Sequence, residues 1–198
     1  MTAVAACAAL AVLELDATLV AQTLASRPLV VGAVLGALGG RPQAGALLGA
    51  AFELLSLSDL PVGGCLTWSA PVAAGTGAIL LCAGASSSLC FVGGLAAGIL
   101  HARLEGVERA RRAATGDALA ARAETSGRAL GPAMGLSIAS HAAMTIAVSG
   151  AVVAAVVLVD RYWWTRVPDC IRAGAAFAAS SAPWIGLSGV AAWGLNRA

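Results

Sequence analysis

The chain contains no lysine: its 12 basic residues are all arginine, set against 10 acidic ones, and charged residues make up only 11% of its 198 positions. That scarcity stands beside a hydrophobic share of 59%, more apolar surface than one water-soluble core can hide, and it excludes a soluble globular domain. The formal charge of +2 is too small for nucleic-acid binding to be a main activity. There is no CxxC pair, and no histidine stands at ligand spacing from the five cysteines (Cys7, Cys65, Cys82, Cys90, Cys170), so neither a zinc site nor a disulfide framework is indicated. The thiols read as small apolar packers. No basic stretch precedes the first apolar run, so MTAVAACAALAVLELDATL is expected to remain as an embedded helix rather than a cleaved leader. GxSxG, phosphate-binding glycine loops, HExxH and catalytic Cys/His pairs are also missing from any suitable setting. A self-contained enzyme is therefore not expected; no catalytic residue, metal or cofactor is assigned.

What remains is apolar sequence with punctuation. A spanning helix takes roughly 20 apolar residues, so the chain can supply about five or six embedded segments. The expected fold is an all-α, polytopic membrane protein forming a single domain over residues 1–198. Residues 1–25 form a first helix that stops at Ser26-Arg27-Pro28, since proline disfavours helix at the residue before it. Residues 28–57 hold two runs too short to cross a bilayer, joined by Gly39-Gly40-Arg41-Pro42, and read as a re-entrant helical hairpin. A backbone break is expected at Ser58–Gly64, with a cavity near residues 53–64, because irregular backbone at membrane depth needs protein or water around it. Residues 65–100 are rich in glycine and read as two embedded segments joined around Ser86-Ser87-Ser88. Residues 101–130 form a polar, Ala/Arg/Glu-rich connector, helical and water-exposed or interfacial, cytoplasmic by the positive-inside rule, and residues 131–159 and 173–195 are further embedded segments.

Ionisable residues inside apolar runs are functional candidates, since a charge at membrane depth is costly without a cavity or a partner. The first hundred residues hold Glu14, Asp16, Arg27, Arg41, Glu53 and Asp59. Glu53, within GALLGAAFELLSLSDLP, is the strongest: a carboxylate accepts hydrogen bonds well from the paired hydroxyls of a sugar. Asp16 either lines a pocket or pairs with a basic group such as Arg27, and Gln22 offers donors and an acceptor to sugar hydroxyls or to a neighbouring helix. Arg27 anchors the break, by snorkelling or by pairing with Asp59 or Glu53, and Asp59 either caps a helix or faces the pocket. His101 and His141 have no triad partner at a recognisable spacing and read as packing residues.

LDATLVAQTLASRPLVVGAVLG (Leu15 to Gly36) and GALLGAAFELLSLSDLPVGG (Gly45 to Gly64) resemble the membrane IIC component of the mannose/fructose/sorbose family of the bacterial phosphotransferase system, in a short branch. The resemblance covers about 50 residues; the rest agrees in character alone. It implies a sugar permease subunit in the bacterial inner membrane. Its partners would be a IID membrane subunit and the IIA and IIB phosphocarriers, and it would carry no phosphoryl-bearing residue of its own. Transferred by motif position, Glu53, Asp16, Gln22, Asp59 and Arg27 are its implied substrate-binding and hairpin residues. One departure follows LPVGG, where the family commonly shows a proline and then an acid; here CLTWSAPVAAG leads to no acid before Glu105. The alternative is therefore a non-transporting structural or regulatory paralogue in the same kind of complex.

Overall fold

The computed structural model describes residues 2–18, 23–57, 67–125 and 130–195. Among them every regular element is helical: α1 (Ala3–Thr18), α2 (Pro28–Leu38), α3 (Pro42–Ser56), α4 (Ala70–Cys82), α5 (Ser87–Thr125), α6 (Leu130–Tyr162) and α7 (Asp169–Leu195), with a short 3-10 turn at Trp164–Arg166. Apolar surroundings leave the backbone no water to bond, and a helix satisfies each of its N–H and C=O groups internally. Prolines open the short elements: Pro28 and Pro42 stand in the first turns of α2 and α3, where a missing N–H costs nothing. Gly40 and Gly84, with φ of +78° and +88°, make the turns from α2 to α3 and from α4 to α5.

Three helices are long and apolar enough to cross a membrane: α5 through its Ser87–Gly116 portion, α6, and α7 over Asp169–Ala192. The other four have 11 to 16 residues. Of these, α4 forms the centre of the packing. α4 packs against α1, α2, α3, α5 and α6, and its residues from Ala70 to Leu80 are almost all buried. α6 and α7 lie outside, with only 22% and 11% of their most apolar stretches covered by the rest of the protein. Chain that is this apolar and this uncovered suits lipid. The protein is thus an all-helical membrane protein.

Two boundaries differ from expectation. The first apolar run predicts helix to Ala25, yet α1 ends at Thr18 and residues 23–27 are irregular. Asp16 supplies the reason: its carboxylate accepts hydrogen bonds from the Thr23 N–H and hydroxyl (2.9 and 3.0 Å) and the Ser26 N–H (3.3 Å). Side-chain bonds of this kind stabilise turns in place of helix. The polar stretch, expected as a helical connector, is helical as far as Thr125 but continuous with the embedded segment before it: α5 runs unbroken for 39 residues, about 58 Å at the helical rise. Its alanines favour helix, and Glu105–Arg109 (2.6 Å) and Glu108–Arg112 (2.5 Å) add i,i+4 pairs along it. The expected break at residues 58–64 lies outside the described residues.

α2 and α3 pack as an antiparallel pair whose backbones nearly touch. A methyl group on Gly45 would lie 2.3 Å from the Gly32 carbonyl oxygen, one on Gly32 would lie 2.4 Å from that of Gly45, and one on Gly49 would lie 2.3 Å from that of Pro28. Gly32/Gly36 and Gly45/Gly49 are thus two small-xxx-small motifs facing each other. Below them Phe52 stacks on Phe91 of α5 (centroids 4.9 Å, planes 6° apart) and ties the hairpin to the long helix.

Gly45→Ala should destabilise the detergent-solubilised protein by about 1–3 kcal/mol through overpacking. Gly135→Ala, on an open face of α6, should be neutral or slightly stabilising because nothing stands within 4 Å of the added methyl. Thermal melts of the two variants beside the wild type measure the contrast.

Candidate functional site

Two polar constellations interrupt the apolar interior. The first stands at the open end of the α2–α3 hairpin. Glu53, one turn from the end of α3, accepts a hydrogen bond from the Leu29 N–H at the start of α2 (3.0 Å) and one from Arg27 Nη1 (3.4 Å). An uncapped helix start carries unsatisfied N–H groups and partial positive charge, so a carboxylate is favoured there. The pair is not sealed: the Arg27 and Glu53 side chains keep 52% and 24% of their exposure. Asp16 is buried and holds the loop leading into Arg27 through Thr23 and Ser26, so its role is loop organiser rather than ion-pair partner. Arg27 and Glu53 are therefore brought together, Asp16 braces the loop before them, and Gln22 and Asp59 lie outside the described residues. A cavity of about 170 Å³, lined by Ala6, Leu35, Gly39, Ile79 and Cys82 among others, sits at the turn end of the hairpin. It is at the opposite end of α2 from Glu53; the cavity expected near residues 53–64 falls largely outside the described residues.

The second constellation joins three helices. Glu14 on α1 and His141 on α6 meet with Oε2 to Nε2 at 2.5 Å, and both side chains are at most 2% exposed. His101 on α5 is fully buried, its ring edge-on to His141 with centroids 5.4 Å apart. The tautomer of His101 follows from its neighbour. With the Thr145 hydroxyl donating to the His141 carbonyl (3.1 Å), the 3.0 Å contact between its oxygen and His101 Nε2 is donated by the imidazole. Neutral His101 then carries a lone pair on Nδ1. That nitrogen and His141 Nδ1 are both buried without a hydrogen-bond partner. Glu105 and Glu108, on the next turns of α5, are drawn off by Arg109 and Arg112, although Glu108 Oε2 comes within 3.9 Å of His141 Nδ1.

The histidines are therefore not the isolated packing residues expected. The signal was present as spacing: His101, Glu105 and Glu108 recur at i, i+4, i+7, and His141, Thr145 and Ser149 at i, i+4, i+8, each marking one helical face. Placing residue 101 at the start of a water-exposed connector hid the first stripe, and Glu14 gained its meaning only from a residue 127 positions away.

The architecture defines the class, an all-helical membrane protein with three helices, among the described residues, long and apolar enough to span. The chain matches no family model, no curated protein and no solved structure.

Removing one member of the Glu14–His141 pair leaves the other buried and unpaired, and either His141→Ala or Glu14→Ala should cost about 3 kcal/mol or more. The double variant should cost less than the sum, with a coupling of about 0.5–3 kcal/mol. Denaturant titration of the four proteins in detergent measures it.

Proposed function

We propose that this chain is the sugar-conducting, IIC-type subunit of a mannose-family phosphotransferase complex. In this reading it moves a hexose-like sugar across the bacterial inner membrane to a IIB partner that phosphorylates it. The motifs at Leu15–Gly36 and Gly45–Gly64 support this reading, and one structural observation carries it. Among the described residues, four helices of 11 to 16 residues, α4 buried at their centre, pack beside three that are long enough to cross a bilayer. Short, discontinuous helices inside a lipid-facing shell are the elements from which transporters build substrate sites at membrane depth, because helix ends there present unsatisfied backbone groups to a solute.

In this reading α2 and α3 form a re-entrant hairpin, entering and leaving from one side, and Glu53 marks its mouth. The carboxylate is partly exposed and sits beside the start of α2, where an arriving polyol can exchange hydroxyl bonds with it in competition with Arg27. Asp16 and Arg27 hold the loop that shapes this mouth. The Arg-rich end of α5 faces the cytoplasm, where IIA and IIB act, and the uncovered faces of α6 and α7 are available to lipid and to a IID subunit.

The non-transporting alternative also has an observation in its favour. Both Glu53 oxygens are already engaged, one by Arg27 and one by the Leu29 N–H, as a structural clamp would require.

Vesicles holding the protein with IID-, IIB- and IIA-type partners should accumulate sugar phosphate from a labelled hexose panel when phosphoenolpyruvate is supplied. Glu53→Gln keeps the size of the side chain but loses its charge, and it should reduce uptake about tenfold or more, the worth of one charged hydrogen bond. Uptake that survives the change, or an assembled wild-type complex that transports nothing, favours the scaffold.

A further inference from the structure

We infer that Glu14, His101 and His141 form an intramembrane binding site for a divalent transition-metal ion, clamping α1, α5 and α6 together. One donor atom from each of these residues lies within 4.8 Å of the others, and all three side chains are buried. Two imidazoles and a carboxylate on one side of a small volume are a ligand set suited to zinc and to other first-row divalent ions. The second observation is an orphaned nitrogen. His101 Nδ1 has no hydrogen-bond partner although the side chain is wholly enclosed, and an unsatisfied polar atom in such a place costs free energy that an ion would recover.

The surroundings of His101 have the form that ligation needs. Its Nε2–H is spent on Thr145, so the opposite nitrogen is held unprotonated with the ring fixed in orientation. Metal-ligating histidines are typically oriented in this way, the other ring nitrogen donating to an oxygen. Charge also fits. Glu105 and Glu108 are each paired with an arginine, whereas Glu14 has no cationic partner other than His141 among the described residues. A divalent ion would replace the proton now shared between Glu14 and His141, and that proton would leave to solvent. The ion requires donors at about 2.0–2.2 Å and hence about 3 Å from one another. Glu14 and His141, at 2.5 Å, must part slightly while His101 closes in. Because the ligands come from three helices and are sealed from solvent, the expected role is to fix the bundle rather than to activate water.

The test uses the full-length, metal-stripped protein in detergent, titrated with Zn²⁺ and with Co²⁺ and measured apart from transport, so its outcome is independent of the permease reading. The wild type should bind one equivalent of Zn²⁺, release about one proton for it, and melt at higher temperature when loaded. X-ray absorption of the zinc-loaded wild type should show imidazole and oxygen donors and no sulfur. Thr145→Val, which removes only the group orienting His101, should weaken binding by about 10- to 100-fold, and Glu14→Gln by at least as much. A variant without cysteine should bind as the wild type does. Failure of the folded wild type to bind an equivalent, sulfur in the coordination shell, or affinity unchanged by Thr145→Val would each overturn the inference and leave a buried ion pair.

Discussion

The approach of two backbones at the α2–α3 interface is the constraint on which the arrangement of this protein rests. Where Gly32 and Gly36 face Gly45 and Gly49, there is no room for a β-carbon on either side. That closeness makes a thin hairpin, and both of its helices pack against α4. Lipid is as apolar as leucine, so helices in a membrane gain little from hiding apolar side chains from one another. Close backbone contact and polar bonds between helices supply the specificity instead.

The polar groups in the interior divide along the same lines. Glu53 meets the start of α2 because the hairpin folds the end of α3 back to it, and Arg27 stands one residue before Pro28 at the same place. Glu14 and His141 meet because α1 and α6, far apart in sequence, are neighbours in space. One constellation is partly open and suited to exchange with a solute; the other is closed and suited to holding helices together.

Much of the fold was legible in the residues. The proline and glycine punctuation at 28, 40, 42 and 84 coincides with helix starts and turns, because these residues act on the backbone locally. The hairpin and the joint near Ser86 were readable for the same reason. The early end of α1 was not, since it depends on a carboxylate reaching forward to Thr23 and Ser26. The helical character of the Ala/Arg/Glu-rich stretch was legible, but its continuity with the embedded segment before it was not, because the fall in hydropathy after Leu104 marks where the apolar run ends and not where the helix stops.

By itself the sequence determined that this chain is helical and belongs in a membrane. Those properties follow from composition and from the need of each backbone group for a partner, and both can be counted along the chain. Only the tertiary structure decided which polar residues meet. Helical periodicity states which side of its own helix a residue occupies, but not which other helix lies against that side. Glu14, His101 and His141 share no local pattern, and their meeting depends on how three helices from distant parts of the chain pack around α4.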